Sequence, residues 1–449
     1  MVRIIKKILT SLQENTKQLK ERFNDTADFR VRKLKIGSNR PIMVHLIYLN
    51  VIKPLLDPTK ETIKKYSLLE DVSEHIIKTA EVLVANEQKE LIDAILNGKT
   101  VILFEGIESG IIAGTTQFKE RNIEQAISER SPRGPLVGLT ENLNTNVSLL
   151  RGMIKTPNFC VESIEIGTLS KTNVSILFLK EVVDKTVLAE VRNHIDKISI
   201  NYVLESMTIK EAFEGRSTIL FPMSEDSERP DVVISSLYDG KVVVLVDGSP
   251  YGIILPSLFV SMFSAPDEYD QKYGRLMNRL LRFTCFFLSI YLPSIYVVLV
   301  KFYADGYPDK VTKTLLTNDE LVPAFWTMII LIVLTTILID VTFRVPQSAI
   351  ILISLLATIA IGETAVTAKI IHPASLIAIA ITFLLGLVIY NKQSAAVIST
   401  LRILFLLVGY LFGVPGMIIV TTLLISIWSL YVLLASHTCR LSYRLNLKN

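Results

Sequence analysis

The sequence predicts a soluble α/β head of two related subdomains, an internal duplication, followed by an all-α polytopic membrane domain of five or six transmembrane helices. Two observations predict this fold class. Half of the 449 residues are hydrophobic, yet charged and apolar segments alternate only up to about Tyr273, and long uncharged runs begin at Phe283. In addition, one block of the head recurs further along the head.

The first copy of that block contains NGKTVILFEG, from Asn97 to Gly106, which resembles the end of a phosphate-binding loop. Such a loop requires glycine where Asp93 stands, and it follows a strand and opens a helix. Here a helical pattern comes first and a strand-like pattern follows. Residues 233–255 match residues 91–113 without a gap, so the block indicates a duplicated unit rather than a nucleotide site.

Each copy predicts a helix, a buried strand, a tight turn and a return strand. Gly98 and Gly240 stand where a helix C-cap is expected. Asp247-Gly248 is a strong two-residue hairpin signal, and Glu105-Gly106 is a weaker version of it. Upstream, MVHLIYLN parallels NVSILFLK, so the duplicated unit is longer than one hairpin.

These patterns divide the chain into six parts. They are a first α/β subdomain (1–118), a helical connector (119–160), a second α/β subdomain (161–266), a basic juxtamembrane segment (267–282), a transmembrane domain (283–439) and a C-terminal tail (440–449).

Two helical segments of the head leave alternatives open. Near the N-terminus, Ile8 and Leu12 belong to an amphipathic pattern that packs on the head or on a partner, or lies on a membrane surface. In the connector, TENLNTNVSLLR predicts a capped helix with three asparagines, Asn142, Asn144 and Asn146. That helix is either a solvated connector or a contact surface.

Apolar runs give the candidate spans, at 283–300, 321–339, 349–367, 374–390 and 403–435. The last run is too long for one helix and contains Gly413-Val414-Pro415-Gly416, so we divide it there into two spans. The alternative is five spans with a re-entrant piece near Pro415.

Basic residues predict the orientation of the spans, because cytoplasmic flanks carry an excess of Lys and Arg. Four of them precede the first span and place the head in the cytoplasm: Lys272, Arg275, Arg279 and Arg282. Later cytoplasmic faces are marked by Arg344, Lys392, Arg402, Arg440 and Arg444, and Lys369 disagrees.

The third span carries the polar groups that most suggest a function. Ser354, Thr358 and Gly362 lie on one helical stripe, and Glu363 and Thr367 on an adjacent one. Ionisable residues at membrane depth are costly unless they face water or a partner, so this span is a candidate ion pathway that Glu363 biases towards cations. Small residues with hydroxyls also suit plain helix packing.

Other chemistry is not indicated. The sequence contains no nucleophile–base pair, metal-ligand cluster or cofactor-binding glycine-rich loop, so we expect no catalytic residues, metal or cofactor. The net charge of +4 comes from interleaved acidic and basic residues, which does not favour a nucleic-acid partner.

Several stretches together resemble the A-subunit family of bacterial spore germinant receptors, the GerA type. They are GPLVGLTENLNTNVSLLR, IGTLSKTNVSILFL, SERPDVVISSL, VVLVDGSPYGIILPSLF, PDEYD and LLRFTCFFLSIYLPSIYVVLVKFY. The signature residues carried over from the resemblance are Glu141, Asn142, Asn146, Arg151, Glu228, Arg229, Pro230, Asp231, Asp247 and Gly248.

The resemblance implies a non-enzymatic subunit of a nutrient-sensing complex in the spore inner membrane, with its head on the cytoplasmic side. It implies a multi-spanning B subunit and a lipoprotein C subunit as partners, and a homo-oligomer that conducts ions when nutrient binds. The alternative is a secondary transporter with a regulatory head, which paired membrane repeats would favour. We find duplication in the head and no convincing repeat in the spans.

Overall fold

The head contains two five-stranded antiparallel sheets with the same strand order. The computed structural model describes residues 7–36, 42–49, 82–114, 135, 137–214, 224–257, 272–303, 321–344, 364–388 and 394–439. The sheet orders are β1-β2-β4-β5-β3 and β6-β7-β9-β10-β8. The predicted duplication is therefore visible as a repeated topology.

The first copy consists of α1 (Leu12–Arg22), β1 (Phe29–Ile36), β2 (Ile42–Leu49), β3 (Val82–Ala85), α2 (Gln88–Leu96), β4 (Thr100–Phe104) and β5 (Gly110–Ala113). Helices α1 and α2 pack on one face of the sheet, around Ile47, Val101 and Leu103. Ile8 and Leu12 belong to this core, which favours packing on the head over lying on a membrane. Helix α1 begins only at Leu12, because Ser11 is its N-cap.

The second copy consists of α3 (Leu143–Met153), β6 (Phe159–Ile166), β7 (Thr172–Leu179), α4 (Lys185–Asp196), α5 (Ser206–Glu214), β8 (Glu225–Ser227), α6 (Pro230–Tyr238), β9 (Val242–Val246) and β10 (Gly252–Leu255). Helices α3 and α6 pack on one face of its sheet. Helices α4 and α5 cover the other face, so β9 is buried along its whole length. The helix that the sequence assigns to a connector thus packs in this core.

The two copies also share their strand register. Val44 on β2 lies opposite Phe104 on β4, and Val174 on β7 lies opposite Val246 on β9. The predicted glycine caps are present, since Gly98 and Gly240 have φ of 77° and 82° directly after α2 and α6. This left-handed conformation suits glycine, which has no Cβ.

The second part of the chain is helical. It contains α7 (Lys272–Phe302), α8 (Ala324–Arg344), α9 (Ala365–Thr367), α10 (Pro373–Leu387) and α11 (Ser394–Cys439). Among the described residues, the segments 273–302 and 397–426 are long and apolar enough to cross a membrane, and 324–338 and 373–387 are shorter apolar helices. The count of five or six crossings stays a prediction, and most of the third predicted span lies outside the described residues.

Helix α11 is two arms joined at Gly413, which has φ 64° and ψ −151°. Before this break, Arg402, Phe405 and Tyr410 contact α7 at Ser289, Ser294 and Lys301, so the first arm runs parallel to α7. After the break, Met417 and Thr421 contact Ser294 and Tyr291, in the reverse order. The second arm therefore runs back along α7. The helix is interrupted at Gly413, within the segment where the sequence predicts a break.

Arg402, whose charge predicts a cytoplasmic face, is buried against neighbouring helices. It lies inside the apolar segment 397–426 and only 4% of it is exposed. The sequence shows the charge but not the contacts that bury it, and the assignment of this residue to a cytoplasmic face stays a prediction.

Substituting Gly413 tests the turn between the two arms. Its backbone conformation is available essentially to glycine alone, so we expect Gly413→Ala to destabilise the helical part by about 1–3 kcal/mol. Gly413→Asn is the control: asparagine tolerates the left-handed helical region, but a ψ of −151° lies outside it, so the loss persists. Thermal unfolding of the full chain in nanodiscs measures both, and full stability of the Asn variant would contradict this geometry.

His45 makes the stability of the head depend on pH. It is 3% exposed on β2, and burial, followed by the charge of Lys33, lowers its pKa below the ordinary 6.5. Below about pH 6.5 the unfolded chain takes up a proton that the folded chain refuses, so stability is complete above that pH and falls as the pH falls.

Replacing His45 with Gln should flatten this pH dependence. Hydrogen exchange of the α1 and β2 amides in the full chain, at about pH 7.5 and about pH 5.5 and corrected for intrinsic rates, measures the effect. An equal slope in both proteins would show that another group is responsible.

Candidate functional site

The signature residues of the connector surround the N-terminus of α3. Asn142 is the N-cap, and its Oδ1 accepts a hydrogen bond from the Thr145 N–H at 3.0 Å. One turn later Asn146, 1% exposed, accepts from the Thr140 N–H at 2.7 Å and donates to the Thr140 carbonyl at 2.6 Å. The oxygen and the nitrogen of one side-chain amide thus both bond the main chain of Thr140, just before the helix.

The Asp247-Gly248 turn closes the same site from the sheet. Asp247 Oδ1 accepts a hydrogen bond from the Leu143 N–H at 3.1 Å, and the Gly248 N–H donates to the Glu141 carbonyl at 2.8 Å. A carboxylate is favourable here because the N-terminus of a helix carries partial positive charge. Five signature residues from two distant stretches of the sequence therefore meet at one helix end, although the side chain of Glu141 is exposed.

The first copy contains the same arrangement with different residues. Ser11 caps α1, and Asn15 bonds both the N–H and the carbonyl of Leu9. Glu105 accepts from the Leu12 N–H at 3.2 Å, and the Gly106 N–H donates to the Thr10 carbonyl at 3.0 Å. Sequence reasoning missed this equivalence, although aligning Ser11, Leu12, Asn15 and Leu19 with Asn142, Leu143, Asn146 and Leu150 reveals it.

Arg151 joins the two copies. Its guanidinium donates to both carboxylate oxygens of Asp28 at 2.9 Å, lies 4.5 Å from the centre of the Phe159 ring, and donates to Thr26 at 3.3 Å. Arg151 is 2% exposed and Asp28 is 6% exposed. Next to this pair Val161 bonds Thr26 and Ala27, so β6 of the second copy is tied to the segment before β1.

The ERPD residues start α6. Arg229 donates to both oxygens of Asp231, at 3.0 and 2.6 Å, and is 1% exposed. Pro230 occupies the first turn, where its missing N–H costs nothing. The Glu228 carbonyl accepts from the Leu139 N–H at 2.7 Å, which fixes the residues leading into α3.

Most signature side chains in the head are thus bonded to the protein itself. The Asn146 amide holds the segment that enters α3, the Asp247 carboxylate joins α3 to the sheet of its own copy, and the Arg151 guanidinium joins α3 to the first copy. Cys160 lies beside this junction, and burial raises the pKa of its thiol, so it is an unreactive thiol. These side chains therefore stabilise the contacts between elements of the head.

Of the five residues predicted to line an ion pathway, the structure describes one. Ser354, Thr358, Gly362 and Glu363 lie outside the described residues, and Thr367 is exposed at the end of the short helix α9. Within the described helices several buried hydroxyls bond main-chain carbonyls, among them Ser289, Ser294, Thr327, Ser375 and Thr382. These five stabilise helices and helix contacts.

The described parts of the chain contain no group of three or more His, Cys, Asp or Glu side chains that could hold a metal ion. No site for a cofactor is proposed.

Comparison with known proteins gives one family. The family model described as Bacillus/Clostridium GerA spore germination protein matches residues 17–437. Spore germination protein KA of Bacillus subtilis (strain 168) is 28% identical over 92% of this chain and 78% of its own length. Spore germination protein GerLA of Bacillus cereus is 28% identical over 91% of this chain and 85% of its own length.

A solved structure is similar as well. It is the crystal structure of the N-terminal domain of the A subunit of the Bacillus megaterium spore germinant receptor GerK3, with 25% sequence identity and a TM-score of 0.45. The similarity covers 57% of this chain and 99% of that chain.

Arg151→Met tests the junction between the copies. The substitution leaves the Asp28 carboxylate buried without its partner, so we expect a loss of about 3–5 kcal/mol in the stability of the head. Arg151→Lys should lose less, because it keeps the charge but not the two-pronged geometry. Chemical denaturation, monitored by hydrogen exchange of the head, measures the free energy of unfolding of both variants.

The matched control is Lys17→Met, which removes an exposed pair with Glu21 on α1 and should cost below about 1 kcal/mol. A loss for Arg151→Met as small as this control would mean that the buried pair does not hold the two copies together.

Proposed function

Since the chain belongs to the GerA family of spore germination proteins, we propose that it is the A subunit of a nutrient germinant receptor in the spore inner membrane. In this proposal it is not an enzyme. It forms homo-oligomers that form or gate an ion-conducting channel, and the channel opens when germinant is sensed and so triggers germination. The observation that carries the proposal is the family match over residues 17–437, which includes both the head and the helical part.

The partners follow from the same proposal. We expect a multi-spanning B subunit and a lipoprotein C subunit, with the protein crossing the membrane several times and its head on the cytoplasmic side. The basic residues at the start of α7, Lys272, Arg275, Arg279 and Arg282, support this orientation. The signature side chains already bonded within the head support a head that relays a signal rather than one that binds the nutrient itself.

The ion pathway is assigned to the third predicted span, with Ser354, Thr358, Gly362, Glu363 and Thr367 along it. Its support is the helical spacing of these residues.

Purified full-length protein in liposomes tests conduction. We expect passive cation flux that rises linearly with voltage in a preparation that native mass spectrometry shows to be oligomeric. Saturable exchange of a solute would instead favour the secondary transporter, and the absence of any flux, with B and C subunits present and nutrient added, would contradict the channel.

Glu363→Lys tests the pathway itself. Reversing this charge should lower cation selectivity, because a carboxylate in a narrow pathway attracts cations and an ammonium repels them. Asp340→Asn is the matched control, since Asp340 lies towards the end of α8 and we expect no change of selectivity. Unchanged flux and selectivity in an assembled Glu363→Lys protein would remove the third span from the pathway.

A further inference from the structure

Helix α7 contains an internal proline, Pro293, within its apolar segment. Proline has no N–H, so it cannot bond the carbonyl four residues earlier in a helix. In α7 that carbonyl belongs to Ser289. A carbonyl left unpaired inside a membrane is costly, and such breaks are tolerated where neighbouring helices supply a donor.

The donor for Ser289 comes from α11. The Arg402 Nε donates to the Ser289 carbonyl at 2.8 Å, and both residues are buried. The other end of the guanidinium, Nη2, donates to the Thr382 carbonyl on α10 at 3.2 Å. One side chain therefore bonds the main chain of two further helices, at the point where one of them lacks its own hydrogen bond.

The surroundings of the guanidinium fit this role. It lies 5.0 Å from the centre of the Phe383 ring, which attracts a cation, and a Cβ at Gly386 would lie 2.8 Å from its Nη2. Among the described residues Arg402 forms no ion pair with a carboxylate, so carbonyl oxygens and an aromatic face stabilise its charge. An arginine in an apolar segment is expensive and therefore marks a specific task.

A second cation serves α11 in the same way. Lys301, near the end of α7, donates to the Tyr410 carbonyl at 2.7 Å, in the last turn before the Gly413 break. Carbonyls at the end of a helix lack partners within it, and a cation there also complements the helix dipole. Each of α7 and α11 thus supplies a cationic side chain that bonds a carbonyl next to the break in the other helix.

We propose that Pro293 is a hinge in α7 and that Arg402 is the pin that fixes it, by filling the hydrogen bond that the proline removes and tying α7 to α10 and α11. This inference concerns helix packing and does not depend on whether the chain conducts ions. With the pin in place the two halves of α7 keep one relative orientation. Without it they move independently about Pro293.

A double-mutant cycle in the full chain, reconstituted in nanodiscs, tests the pin. Arg402→Gln should lower the melting temperature and speed hydrogen exchange on both sides of Pro293. In Pro293→Ala the new N–H bonds the Ser289 carbonyl, so Arg402→Gln should then lower the melting temperature by less than about half as much. Arg402→Lys keeps the charge but cannot bond two carbonyls at fixed spacing, so its loss should be intermediate.

Lys301→Gln is the control. Lys301 bonds a carbonyl near the Gly413 break, so its substitution should lower the melting temperature equally with or without Pro293. The proposal is overturned if Arg402→Gln has equal effects in both backgrounds, or if hydrogen exchange near Pro293 is unchanged in the variant. If Arg402→Gln fails to fold, recovery of folding in Pro293→Ala/Arg402→Gln supports the pin, and failure of both counts against it.

Discussion

The fold depends on one constraint, that polar groups of the main chain which leave water must find a partner. Helix ends and helix breaks are where this is hardest, because their N–H and carbonyl groups have no partner within the helix. In the head, Asp247 and Glu105 supply acceptors to the first turns of α3 and α1. In the helical part, Lys301 and Arg402 supply donors to carbonyls near a break. All four contacts join elements distant in sequence, so they fix tertiary structure as well as local structure.

This constraint explains why a duplicated unit could diverge without losing its shape. The two sheets keep one strand order and one register, while the side chains at the helix ends change between copies. Ser11 and Asn142 both cap, and Glu105 and Asp247 both accept, because the requirement is for an oxygen at that position rather than for a particular residue. In the second copy, α4 and α5 cover the other face of the sheet.

The sequence predicted the elements that depend on local chemistry. Gly98 and Gly240 end helices, Asp247-Gly248 forms a turn between β9 and β10, and Gly413 breaks α11, because each glycine has a backbone conformation that few residues allow. The connection from β9 to β10 is longer than the predicted two residues, because pairing begins at Leu245 and Gly252. It could not predict contacts that depend on tertiary packing. Arg151 was carried over from a resemblance without its partner Asp28, and Arg402 was interpreted by its charge alone, since no short-range pattern records which distant group a side chain meets.

One pair of equivalent positions makes different contacts in the two copies. Counting from the helix caps, Lys20 of α1 corresponds to Arg151 of α3. Lys20 makes an exposed pair with Asp25, whereas Arg151 is buried against the other copy. The two halves of a duplicated gene are identical at first. The exposed lysine in one copy and the buried arginine in the other mean that these two copies cannot be interchanged. Exchanging the two helices would put the lysine at the contact with Asp28 and the arginine in solvent, so this contact depends on the order of the copies along the chain.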